Sequence, residues 1–291
     1  MKKAFVILVL FAQIRTFSQE KSSHNYYWSN EENLKAMVGV ANCYVRENPS
    51  TKATLLDSLQ IGKEVTVVKS TDINYEINGV NVSWVAIEYQ NKSGIISKGY
   101  LWRGFLALGY VKKKELTFLT TIDKFENRKS DGLDVFSISA KVLSNQNVVL
   151  GQKTFQKSLG ESAYFQNNTI GGLGLKNVSH IYRISFEGEA CGIPSLFYYF
   201  AWNGTKIIQL PEKFGAADAD IYFHNEDFIF PKEKGGKPDT IIKKFKEGET
   251  QDEAAKRPTY DVKEWKEIYK WNGEKTILIE KTKPKKYKIK Y

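Results

Sequence analysis

The chain has 291 residues, of which 42% are hydrophobic and 26% charged, with a formal net charge of +10. That length suggests one or two domains with a sizeable core, and the composition excludes collagen, low-complexity disorder and a polytopic membrane protein. Aromatic residues reach 13%, a bias that favours the pleated surface of strands.

Residues 1–18 read as a secretory signal peptide. Lys2 and Lys3 supply the positive start, Ala4 to Ala12 the apolar run, and Thr16-Phe17-Ser18 the small residues of a cleavage site. A bilayer span needs about 20 apolar residues. Neither this run nor any later stretch approaches that length, so no transmembrane span is expected. The mature chain is expected to be exported, either periplasmic or secreted. Cleavage removes Lys2, Lys3 and Arg15 and no acid, which lowers the formal charge from +10 to +7. The basic tail between Lys281 and Lys290 alternates with Thr282, Tyr287 and Ile289. In an exported protein it reads as a last edge strand kept soluble by lysines, with attraction to an anionic envelope surface as the alternative; nucleic acid is not an expected partner. Two cysteines remain, Cys43 and Cys191. An oxidising compartment permits a disulfide between them, but two separate buried thiols are the expectation.

Residues 19–36 are polar and read as a linker. Residues 37–112 then read as short strands with tight turns. Glu64 to Val68 and Trp84 to Tyr89 alternate, and Asn78-Gly79 and Asn91-Lys-Ser-Gly94 mark hairpins because Asn and Gly accept positive φ at little cost. Strands this short at this turn density suggest a small barrel.

The stretch Ala41-Asn-Cys-Tyr-Val-Arg-Glu-Asn-Pro-Ser-Thr51 resembles the opening of bacterial SH3 (SH3b) domains. The resemblance continues through Leu59, Gly62, Val65-Thr-Val67 and Trp84-Val-Ala-Ile87 to Gly99-Tyr-Leu-Trp102. It departs at Cys43-Tyr44, where the family has Leu-Asn, and in a longer segment between Val68 and Trp84. The resemblance implies an exported module that binds cell-wall peptides or protein partners, often beside a catalytic domain. It implies an aromatic groove lined by Tyr44, Trp84, Tyr100, Trp102 and Phe105, with Arg46 among the candidate binding residues; independently of the resemblance, Arg46 before a Pro-Ser turn can donate to loop carbonyls. The same side chains are also the ones that fill the core of so small a barrel. Cys43 stands where the family has Leu, so it reads as a small buried hydrophobe.

Residues 116–291 read as a second β-rich domain, a meander of sandwich or propeller-like form. Phe136, Ile138, Ala140 and Val142 fall on one face of an alternating strand, and Leu196 to Trp202 is apolar on both faces, as a central strand is. Trp202-Asn-Gly204 and Trp271-Asn-Gly273 each sit between two strand-like runs and read as repeated hairpins with type I′ turns. Only Gly248 to Tyr269 reads as a helical turn or an excursion.

Candidate chemistry is sparse. SH3b domains accompany NlpC/P60 cell-wall peptidases, whose nucleophile motif is Asp-Cys-Ser-Gly. Cys191 stands instead in Glu-Ala-Cys-Gly-Ile-Pro, with only His180 and His224 as candidate bases outside the linker. Asp218-Ala-Asp220 with Glu226-Asp227 lacks EF-hand spacing, and Glu226-Asp227 fits the tip of a hairpin. Gly171-Gly-Leu-Gly174 lacks the spacing of a nucleotide fingerprint. No metal or cofactor is expected. The expectation is an all-β, non-catalytic binding protein of the envelope whose partner is peptidoglycan or an envelope protein. A hydrolase with an unrecognised catalytic half, and a structural accessory of an envelope assembly, are the alternatives; oligomeric state stays open.

Overall fold

The computed structural model describes residues 22–128, 133–189, 191–219, 221–250 and 259–290. The signal-peptide reading of residues 1–18 lies outside them, as does Asp220. The chain is all-β, a small barrel followed by an antiparallel meander.

Strands β1 (Leu34–Met37), β2 (Cys43–Arg46), β3 (Leu55–Leu59), β4 (Glu64–Ile77), β5 (Val80–Gln90) and β6 (Ile96–Trp102) form a curled six-stranded sheet in the order β1-β4-β5-β6-β2-β3. Side-chain alternation sends Cys43, Val45, Val65, Val67, Val85, Ile87 and Leu101 into one closed core. The β4–β5 turn has Asn78 at φ 52° and Gly79 at φ 78°, the type I′ pattern expected of Asn-Gly.

A second sheet, in the order β10-β9-β8-β7, comprises β7 (Gly109–Lys113), β8 (Leu116–Arg128), β9 (Leu133–Ser144) and β10 (Val149–Ser158). The alternating row Phe136, Ile138, Ala140 and Val142 is wholly buried on one face of β9. The third sheet has ten strands: β11 (Tyr164–Gly171), β12 (His180–Glu187), β13 (Ser195–Trp202), β14 (Ile207–Gln209), β15 (Lys213–Asp218), β16 (Tyr222–Ile229), β17 (Thr240–Thr250), β18 (Thr259–Trp271), β19 (Thr276–Lys281) and β20 (Lys285–Lys290). β13 lies between β12 and β14–β15, as its two-sided apolar pattern required.

The halves do not fold as beads on a string. Val80, Val82, Trp84 and Trp102, on the outer face of β5–β6, share one core with Phe118 and Ile138 of the second sheet and Tyr182, Ile184 and Phe200 of the third. The expected boundary near residues 112–116 is a hairpin within the second sheet, because Gly109–Lys113 pairs with Leu116–Thr120. The polar segment read as a linker is likewise part of the packing. His24, Tyr27 and Trp28 are buried, and Leu34–Met37 is a barrel strand. Three aromatic or amphipathic rings amid polar neighbours suffice to bury a segment whose average composition looks solvated. Trp28 Nε1 donates to Leu106 O at 3.2 Å, and Lys141 Nζ donates to Gly39 O at 2.9 Å, tying the second sheet to the barrel.

Three further expectations are corrected. At Asn203-Gly204 and Asn272-Gly273 only the glycine has positive φ, the type II′ pattern. Each Asn side chain instead accepts backbone N–H groups, from Thr205 and Lys206 in the first turn and Glu274 and Lys275 in the second, so the Asn backbone need not turn left-handed. The described ends of the segment Gly248 to Tyr269 are strand rather than helix, and its middle, residues 251–258, lies outside the described residues. The segment ends β17 at Thr250 and begins β18 at Thr259. Glu226 is not at a hairpin tip but inside β16 and buried. The lysine-rich tail from Lys285 to Lys290 is an edge strand, β20, paired among the described residues with β18 alone.

Candidate binding surface

On β2 the inward positions are Cys43 and Val45, both wholly buried, so Tyr44 and Arg46 point outward. Gly99 of β6 sits behind them. A Cβ there would lie 2.5 Å from Val45 Cγ1 and 3.0 Å from Arg46 O, so glycine is what lets β2 approach β6 closely enough to pair Arg46 with Tyr100. A bulge follows Val45, and Arg46 faces Leu55 on β3. Arg46 Nη1 donates to Ala53 O at 2.7 Å, which holds the Pro49-Ser50 loop with the Glu47 N to Thr54 O bond at 3.0 Å. The guanidinium therefore shapes the loop from within, as the sequence suggested, and its exposed edge borders Tyr44.

β3 ends the barrel sheet, and among the described residues nothing pairs with its outer edge. Leu55 and Leu56 on that strand are 51% and 48% exposed, and Tyr44, opposite Ser58 on the adjoining β2, is 44% exposed. An open edge strand with apolar side chains offers unpaired N–H and C=O groups together with area to bury. Leu55 and Leu56 were not among the residues singled out from the sequence. A Leu doublet reads equally as core, and only the strand order reveals the edge.

The remaining expected groove residues are elsewhere. Trp84 and Trp102 face each other across β5–β6 and are only 3% and 4% exposed. Trp102 Nε1 donates to Tyr75 O at 2.8 Å, and its ring packs edge-on to Phe105 at 5.1 Å. Phe105 lies between the barrel core and the central core, and Tyr100 is half-buried against the latter. The groove implied by the SH3b resemblance is thus filled by the protein's own second half. The apolar outer face of β5–β6 excludes water best by packing against another sheet, which leaves Tyr44, Arg46 and part of Tyr100 outside that contact.

The Cys–His arrangement is not assembled. Both cysteines are free thiols, and Cys43 is buried, but Cys191 is exposed rather than buried as expected, because it stands in the turn before Ser195 and not within a strand. Burial pushes the Cys43 thiol up to about 12, where it is inert. His224 stacks on Phe214 with centroids 4.3 Å apart. Its Nε2 lies 3.2 Å from Glu226 Oε1 and its Nδ1 3.4 Å from Glu247 Oε2, so both ring nitrogens face carboxylates rather than a thiol. Glu226 also takes Lys243 Nζ at 2.8 Å and the Phe214 N–H at 2.8 Å. Each of these buried polar groups has a partner, as a structural network requires. His180 Nδ1 lies beside Ser179 Oγ at 3.1 Å. Among the described residues no three His, Cys, Asp or Glu side chains are placed to hold a metal ion, and no helix is long and apolar enough to cross a membrane. No protein-family model, curated protein or solved structure matches this chain.

Proposed function

We propose that the chain is an exported, non-catalytic binding protein of the cell envelope, with an SH3b barrel that holds an extended peptide of the wall or of an envelope protein. The observation that carries this reading is the open β3 edge with Tyr44, Leu55 and Leu56 exposed beside it. An extended peptide adds a strand there through main-chain hydrogen bonds, and the three side chains give it apolar contact. The buried Trp84–Trp102 pair plays no part in recognition in this reading; it joins the barrel to the meander. The engagement of both His224 nitrogens by carboxylates weighs against the hydrolase alternative.

The test uses the whole chain without residues 1–18, sedimented with purified wall sacculi and, separately, with a cross-linker in intact envelopes. The intact chain is expected to be retained by one of them. Leu55→Asp with Tyr44→Ser is expected to reduce that retention at least tenfold while the thermal midpoint holds. Full retention of the double variant would remove the β3 edge from the proposal. Clearing of wall turbidity that is lost on Cys191→Ala would replace it with the hydrolase.

A further inference from the structure

Away from the barrel, β18 changes partners along its length. β20 pairs with residues 259–264 and β19 with residues 267–271, and Thr282 closes the gap between them by bonding Lys266 through its backbone and side chain. The change of partner leaves an open concavity of about 590 Å³ across β16, β17, β18 and the start of β20. Lys244, Lys246, Lys266, Lys283 and Lys285 line it, against two carboxylates, Asp227 and Glu264. Both acids are already engaged: Glu264 by Lys246 at 3.7 Å and by the Tyr287 hydroxyl, Asp227 by Lys213 at 3.9 Å. Among the described residues Lys244, Lys266 and Lys283 have no ion pair.

The register adds a second, independent observation. Lys244 stands directly opposite Lys266, while the next pair on that face, Lys246 and Glu264, is complementary. Side chains of directly opposed residues lie about 5 Å apart, and like charges there destabilise a sheet. Asp227 faces Lys244 from β16 and offsets part of this repulsion, whereas the other neighbour of Lys266 is the uncharged Thr282, so an anion beside Lys266 would relieve the remainder. Along β17, Lys244 and Lys246 repeat at about 7 Å, the two-residue rise of a strand. The stacked rings of Phe245 and Trp265 belong to the opposite face, beside His224. Phe245 and Trp265 nonetheless border the concavity, so it offers a row of charges with a limited aromatic surface rather than the open stacking platform that unpaired nucleobases use, and its hollow shape suits a chain better than a flat bilayer.

We propose that this trough is a second binding site, separate from the β3 edge, and that it takes a linear anionic polysaccharide whose carboxylate or phosphate groups lie between the unpaired lysines. The test applies biolayer interferometry to the chain without residues 1–18, with polygalacturonate, inorganic polyphosphate, neutral dextran and oligo-dT as probes. Polygalacturonate or polyphosphate is expected to bind with an affinity that falls steeply as salt rises, because bound counterions are released; the stronger of the two identifies the anionic group. Dextran is expected not to bind, and oligo-dT to bind more weakly. Lys244→Ser with Lys266→Ser is expected to weaken the anionic probe at least tenfold with a thermal midpoint unchanged or higher, since the repulsion goes with the charges. Lys283→Ser with Lys285→Ser, outside the β17–β18 ladder, serves as the second variant and is expected to weaken it likewise. Absence of binding by both anionic probes, an affinity equal to the parent's in both double variants, or tighter binding of oligo-dT would overturn the proposal.

Discussion

Lys157 offers the sharpest test of the packing argument. Its side chain is buried where β10 meets the N-terminal segment, and its ammonium lies 5.1 Å from the Tyr27 ring centroid and 5.2 Å from that of Phe186. It donates to Tyr27 OH at 3.0 Å and to Ser158 O at 3.1 Å, and among the described residues it has no carboxylate partner. Burial lowers its pKa from 10.5 to about 8. The folded state therefore sheds this proton at lower pH than the unfolded state, which binds more protons between those two values. Stability must then rise with pH across that window. Integrating the two titrations from pH 7 to pH 9.5 gives a gain of about 2 kcal/mol from this one group. At a urea slope of about 3 kcal/mol per molar, the unfolding midpoint moves by roughly 0.7 M. Lys157→Met keeps the length and apolar stem and abolishes the titration. The assay is equilibrium urea unfolding of both proteins at half-unit pH steps over that range. The difference between them is to be read, because other lysines and tyrosines titrate in both. At pH 7 the Met variant is expected to be at least as stable as the parent, since it removes an ammonium buried without a counterion. Parallel curves for the two proteins would refute the claim that Lys157 is desolvated in the folded state.

Other outcomes follow from the same packing. Trp84→Ala should cost about 3–5 kcal/mol, because it opens a cavity between barrel and meander, and one cooperative transition in urea should persist because both halves share that core; two separated transitions would contradict the shared core. Gly99→Ala should cost about 1–3 kcal/mol through the 2.5 Å approach to Val45 Cγ1 and should weaken peptide capture at the β3 edge; circular-dichroism melts and the sacculus assay read both. Iodoacetamide at pH 8 should add one label to the native protein, at Cys191, and a second only in urea, at Cys43; intact mass gives the count. Tyr110, pushed up to about 12 by burial and by its bond to Glu64, should keep its phenol protonated at pH 10.5, where difference absorbance at 295 nm would detect phenolate.

Local patterns in the sequence carried much of the fold. Period-two alternation identified which side chains of Trp84 to Tyr89 and Asp134 to Val142 share a face, because successive Cβ atoms in a strand point to opposite sides whatever lies around them. Asn78-Gly79 identified a turn because left-handed φ is affordable to few residues. The Leu196–Trp202 run identified a central strand because an edge or surface strand with that pattern would leave apolar area in water. What alternation could not say is what covers each face. Trp84 and Trp102 read equally well as a ligand groove or as core, and the answer came from the second half packing over them. Glu226 read as a turn residue because the Lys243 ammonium and the Phe214 N–H that satisfy it, beside its strand neighbour His224, come from other strands. The open edge at Leu55 and Leu56 and the like-charge pairing of Lys244 with Lys266 are properties of strand order and register. Those are set by the burial of all the faces at once, and so belong to the folded chain rather than to any segment of it.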